Sequence, residues 1–185
     1  MPQLFNFDRV YSQKSSSQII YKELGKPITR SVLSGYNGTI FMYGQTTSGK
    51  TFTMLGNPDK PGILPCALRD IFNQIEKDNE NSYNVYCSYI EIYNENINDL
   101  LNSHSTLLKL VDDNKVNNLL IKYGVIVADA KKIKIKNFDD GIILLNFGEE
   151  NRKYRETQIN EYSSRSHTIF QIVFIFNFSL LNLKL

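Results

Sequence analysis

GYNGTIFMYGQTTSGKTFTM, residues 35–54, sets a run of β-forming residues against a hydroxyl-rich loop bounded by glycines. Within it, Thr39 to Tyr43 (TIFMY) has the length and composition of a buried parallel strand, Gly44 is where the backbone must turn, and Lys50 begins a helix. The eight residues Gly44, Gln45, Thr46, Thr47, Ser48, Gly49, Lys50 and Thr51 fit GxxxxGK[ST] without a mismatch. Each element of that pattern has a physical reason. Gly44 and Gly49 permit backbone conformations that a side chain would forbid, so consecutive N–H groups can turn inward toward phosphate oxygens. The new helix adds its positive end. Lys50 supplies a point charge for β and γ phosphates, and the Thr51 hydroxyl is placed to ligate Mg²⁺. A glycine-rich turn before a helix is the competing reading, and the combination of pattern and context favours phosphate.

Composition places this loop in one globular domain. With 185 residues, 42% hydrophobic and 22% charged, the chain has enough apolar material for a continuous core. A formal net charge of +2 is too small for bulk attraction to nucleic acid or anionic lipid, so any acidic partner must be met by a local patch and charge alone names none; neither a nucleic acid nor a membrane is expected as a partner. Cys66 and Cys87 lack metal-ligand spacing, and MPQLFNFDRV lacks the layout of a signal peptide, which predicts an intracellular protein with reduced, buried thiols. The apolar stretch from Thr168 to Leu185 is interrupted by Gln171, Asn177, Ser179, Asn182 and Lys184, as core strands are and a membrane span is not. The abundant asparagines read as polar loop filler.

Along the chain, Ser15 to Ser17 offer an N-cap for Ile20, Leu24, Ile28 and Val32, a helical pattern interrupted by Gly25 and Pro27: one broken helix or two short ones. Ala67, Leu68, Ile71, Phe72 and Ile75 predict a helix with Pro65 in its first turn. Tyr83 to Tyr93 alternates as a long strand, and NENINDLL after it reads as a turn and a short helix. Leu107 to Ile135 holds short β-like runs, and KKIKIK at Lys131 to Lys136 has two readings, a basic binding patch or, favoured by its period of two, a half-buried strand with a solvated lysine face. Asp139 to Asn151 is helix-like despite Gly141, and Thr168 to Phe178 is a strand. Strands alternating with helices make an α/β sheet domain.

A second constellation, NEYSSRSH at Asn160 to His167, packs hydroxyls around one arginine directly before a core strand. Alone it reads as a polar loop or a phosphorylation site; beside a phosphate cradle it has the groups that a γ-phosphate sensor needs.

With FNFDRVY (5–11), GILPCALRDIF (62–72), SYIEIYNENINDLL (88–101), GEENRKY (148–154) and INEYSSRSHTIF (159–170) in this order, the sequence resembles the motor domains of kinesins over nearly its whole length. FNFDRVY, GNPDKPGILP and YRETQINEYSSRSHTIF look most like the centromere-associated group of that family. The resemblance implies a P-loop NTPase fold, a three-layer sandwich with a central, mostly parallel sheet flanked by helices. It implies ATP and Mg²⁺ as ligands and ATP hydrolysis coupled to movement along microtubules, at a cytoplasmic, cytoskeletal location such as the spindle or kinetochore. Gly44 to Thr51 would be the P-loop and Asn160 to His167 switch I. The catalytic set carried over is Lys50, Thr51, Asn160, Ser163, Ser164 and Arg165. Ser164 would meet the γ-phosphate or the Mg²⁺ shell with Thr51, Ser163 would position the lytic water through its backbone, and Arg165 would pair with a switch II glutamate. Phe52 stands where many kinesins place a side chain against adenine, and packing in the core is its other role. Val111 to Lys122 falls where the family carries a lobe touching the microtubule.

Two family features have no counterpart between Met1 and Leu185: the RxRP-type adenine motif and the DxxGxE of switch II. The expectation is therefore a motor domain truncated at both ends, residues 1–185, with depressed turnover. The alternative is a catalytically inactive nucleotide-binding or interaction fragment. An unrelated P-loop NTPase is disfavoured by the order of SYIEIYNE, NR and SSRSH after the cradle, and oligomeric state stays open.

Overall fold

The Ser16 hydroxyl accepts the Ile19 N–H at 3.3 Å, a side-chain cap that starts the first helix where the serine run predicts it. Helix α1 (Ser17–Ile20) runs into a π-helical turn (Tyr21–Gly25) and on into α2 (Lys26–Leu33). The sequence pattern left a choice between one broken helix and two short ones, and the chain takes a continuous path with one widened turn. Pro27 explains the widening: it has no N–H to donate and its ring crowds the carbonyl one turn back, so Lys26 N–H reaches five residues back to Tyr21 O.

This structure is a computed structural model that describes residues 3–102, 107–112, 125–158 and 166–177. The chain forms two units, Met1–Lys77 and Asp78–Leu185.

In the first unit, helix α4 (Ile63–Ile75) buries Ile63, Ala67, Leu68, Ile71 and Phe72, the stripe its spacing predicts. Tyr21, Ile63 and Ala67 form a cluster against which Ile20, Ile40, Met42, Met54 and Cys66 pack. The Tyr21 hydroxyl donates to Asp70 Oδ2 at 3.0 Å, and Asp70 Oδ1 lies 3.7 Å from Lys26 Nζ.

Thr39 to Tyr43 departs from expectation, since it is irregular chain with no ladder among the described residues. Ile40 and Met42 pack on the Tyr21 cluster, whereas Phe41 is 77% and Tyr43 94% exposed. The alternation is that of a strand with one face covered. A ladder also needs a neighbouring backbone at strand spacing, and none of the described strands supplies one.

The second unit is built on β1 (Ser82–Tyr93). Along one side it pairs antiparallel with β6 (Ser166–Asn177), from Ser82↔Asn177 to Tyr93↔Ser166. Its other side is shared by β5 (Ile133–Ile135) and β2 (Asn96–Asp99), both antiparallel. The expected short helix in NENINDLL is therefore a strand. Asn94 and Glu95 both take positive φ (47° and 61°), which makes a two-residue turn whose twist folds β2 straight back on β1. Every described strand pair is antiparallel, so the mostly parallel order expected of the sheet is not seen among the described residues.

Strands β3 (Lys109–Asp112) and β4 (Val125–Ala128) form a separate two-stranded sheet. The KKIKIK strand behaves as its period of two predicts: Ile135 is buried while Lys131, Lys132, Lys134 and Lys136 are exposed.

Helix α5 (Phe138–Gln158) is capped by Asn137, whose Oδ1 accepts the Asp140 N–H at 2.8 Å. It packs over the face of β1 that carries Val85, Cys87, Tyr89 and Glu91, all buried. A Cβ on Gly148 would stand 2.3 Å from the Tyr89 ring, so glycine permits this approach.

Candidate nucleotide-binding site

Residues 44–49 form an exposed loop leading into the short helix α3 (Lys50–Met54). Gln45 O accepts the Ser48 N–H at 3.3 Å, closing a four-residue turn whose third residue, Thr47, has φ +66°. Gly49 follows at φ +89°, a conformation that suits glycine and that ends the loop by aiming the chain into α3. A Cβ on Gly44 would come within 2.7 Å of Ser48 Oγ, so its absence lets the loop close tightly.

Lys50 turns back over this loop. Its ammonium donates to Gly44 O at 2.8 Å and to Gln45 O at 2.7 Å, which holds a positive charge directly above the turn. No carboxylate occurs from Gly44 to Met54, while Thr46, Thr47, Ser48, Thr51 and Thr53 bring five hydroxyls. This donor set suits a polyanion: one cation, hydroxyls, exposed amides and no opposing negative charge. With only five residues, α3 contributes amides more than a developed macrodipole. Thr51 is exposed beside Lys50, and Phe52 is 52% exposed, leaving part of its ring open to solvent.

The other expected site residues, Asn160, Ser163, Ser164 and Arg165, lie outside the described residues, as does most of Val111 to Lys122. The chain on either side of 159–165 is described, and it contains a polar network that the sequence reading did not isolate. The Arg152 guanidinium lies 3.5 Å from Glu91 and 3.7 Å from Glu149, and it donates to Ser166 Oγ at 3.3 Å. Glu149 in turn accepts the Tyr89 hydroxyl. Asn151 Nδ2 donates to Leu100 O at 2.8 Å, which ties α5 to the chain leaving β2. The available signal was Glu91 itself, a carboxylate in phase with Val85, Cys87 and Tyr89 on a strand, because a charge at a core position calls for a cation opposite.

The same motifs carry the likeness to known proteins. A family model described as Kinesin motor domain matches residues 1–177. The chain belongs to the kinesin motor-domain family. It is 42% identical over 169 residues to human Centromere-associated protein E, covering 91% of this chain and 6% of that protein. It is 44% identical over 172 residues to Kinesin-related protein 4 of Dictyostelium discoideum, covering 91% and 9%. It is also 41% identical over 169 residues to Kinesin-like protein KIN-7L of Oryza sativa subsp. japonica, covering 91% and 25%. The chain thus spans a quarter or less of the length of these relatives.

Membership of the kinesin family brings a P-loop NTPase-like α/β fold. Nucleotide with Mg²⁺ is the family's ligand, and the cation, hydroxyls and turn of residues 44–51 fit it. No described helix is long and apolar enough to cross a membrane.

Proposed function

We propose that the chain binds Mg²⁺·ATP at Gly44 to Thr51 and serves as the nucleotide-binding region of a microtubule-based motor. The observation that supports this most directly is the Lys50 ammonium, held over the turn by the carbonyls of Gly44 and Gln45 in a loop without acidic groups. An arriving phosphate offers stronger, charge-assisted partners than two neutral carbonyls, so Lys50 exchanges one set for the other. In this reading the amides of 44–49 cradle the phosphates, Lys50 contacts β and γ, Thr51 and Ser164 reach the metal shell, and Phe52 stacks against adenine. Asn160, Ser163 and Arg165 act on the γ-phosphate side. Thr51 and Ser164 would hold the Mg²⁺, which would supply neutralisation of the phosphate charge. The mostly parallel three-layer sandwich belongs to the same reading, as do the partner, microtubules, and a cytoskeletal location.

Titration of the purified chain with fluorescent ATP and Mg²⁺, followed by microtubule-stimulated phosphate release, tests it. Lys50→Ala is expected to weaken binding by at least tenfold. Equal affinity in the variant, or a strong preference for GTP, would remove the proposal. Binding without microtubule-stimulated turnover would leave the chain a nucleotide-binding fragment of a kinesin.

A further inference from the structure

Four non-glycine residues have positive φ among those described: Thr47, Asn94, Glu95 and Asp129. Asn94 and Glu95 make the β1–β2 turn, and asparagine and aspartate adopt left-handed backbone more readily than other side chains. Thr47 is the β-branched member of the set. Its two Cβ substituents crowd the backbone at φ +66°, where such a residue is an outlier. The turn explains why it is there. Gln45 O accepts Ser48 N–H, Thr46 has no positive φ, and Thr47 occupies the third position, which in a turn of this hand belongs to glycine or asparagine.

The strain sits at the centre of the proposed phosphate cradle, in a segment exposed from Gly44 to Gly49. Buried packing does not hold Thr47 in place. What holds the turn is the Gln45–Ser48 bond and the two Lys50 contacts, together with a Thr47 Oγ1 bond to Thr46 O at 2.6 Å. A phosphate that engages Lys50 competes directly with two of those restraints. A loop in which Thr47 relaxed to negative φ would no longer present this turn, and the cradle would be lost with it. Apparent affinity falls in proportion to the fraction of loops that remain competent.

We propose that Thr47 is an affinity-setting residue of the phosphate loop, which weakens nucleotide binding because a β-branched side chain must be held in a left-handed turn. This rests on the nucleotide-binding reading above. It concerns how tightly this loop holds phosphate, with no role for Thr47 as a ligand. The left-handed penalty of an ordinary L-residue corresponds to about a tenfold change in an equilibrium.

The test is a titration of the full chain with fluorescent ATP and Mg²⁺, comparing wild type with Thr47→Gly, Thr47→Asn, Thr47→Val and Lys50→Ala. Strain predicts that Thr47→Gly and Thr47→Asn bind about tenfold tighter, while Thr47→Val, equally branched but without the hydroxyl, stays within about threefold of wild type. Thermal melting without nucleotide should be nearly the same for all the Thr47 variants, because the inference places the penalty on holding the loop for phosphate. A melting point raised in Thr47→Gly, as expected for Glu95→Gly, would place the strain in the free chain and overturn the inference. If Thr47→Gly binds no tighter, the inference is overturned even where Lys50→Ala shows the site to be real. If Thr47→Gly and Thr47→Val both weaken, the hydroxyl is a ligand and strain is not the cause. If no variant binds better than Lys50→Ala, the site reading and this inference fall together.

Discussion

Arg152 reaches across from α5 to within 3.5 Å of Glu91, a carboxylate on β1 with no solvent exposure, and the same guanidinium donates to Ser166 at the first position of β6. One side chain thereby joins a helix to two adjacent strands beside the segment 159–165.

Removing that cation should be costly, because a buried carboxylate then loses a charged partner. Arg152→Met is expected to lower stability by about 3 kcal/mol, and Arg152→Met with Glu91→Leu to recover most of the loss. Urea unfolding of the two variants checks this. A double variant as unstable as the single one would show that the charges are not coupled.

Gly148 should tolerate no side chain. A Cβ there would stand 2.3 Å from Tyr89 Cδ1, and the Tyr89 ring is fixed by its edge-to-face contact with Phe170 at 5.2 Å and by its bond to Glu149. Gly148→Ala is expected to cost about 2 kcal/mol despite its better helix propensity. A stability equal to wild type in urea would mean that α5 can withdraw freely from β1.

The β1–β2 turn is open to improvement. Glu95 is exposed and sits at φ +61°, where glycine has no steric penalty and where Asn-Gly is a favoured pair. Glu95→Gly should raise stability by about 1 kcal/mol, read as a later urea midpoint. A lower midpoint would indicate that Glu95 makes a stabilising contact beyond the turn.

Alkaline pH should unfold the second unit earlier than its surface charge suggests. Burial pushes the Cys87 thiol up to about 12, and burial followed by the charge of Glu149 also raises the Tyr89 hydroxyl. A group whose folded pKa is raised stabilises fully below its unfolded value, about 8.5 for a thiol, and loses that contribution as pH climbs toward the folded value. The urea midpoint is therefore expected to fall progressively between about pH 8.5 and 12, and Cys87→Ala to flatten the first part of that fall. A midpoint independent of pH across this window would contradict it. Native Cys87 should also resist thiol reagents that label it once the chain is unfolded.

Local chemistry accounted for the features whose meaning is carried by adjacent residues. The candidate nucleotide loop was legible as a motif because its glycines, lysine and hydroxyls fall within eight positions, and the stripe of α4 because Ala67, Leu68, Ile71 and Phe72 recur with the helix period. The order of the motifs was enough to place the chain among kinesins, a reading that the family model supports over residues 1–177. What local chemistry could not supply is the partner of each group. TIFMY has a strand's alternation, yet whether it joins a ladder depends on a backbone elsewhere in the chain. NINDLL has residues acceptable to helix or strand, and the positive φ of Asn94 and Glu95 turned it into β2. Glu91 reads as one polar residue in an apolar run until α5 brings Arg152 over it. Thr47 reads as one more loop hydroxyl until the turn from Gln45 to Ser48 forces its backbone left-handed. Periodicity and motif spacing are properties of neighbours in sequence, while ladders, buried ion pairs and backbone strain arise only when distant residues, or the closure of a turn, impose a geometry on them.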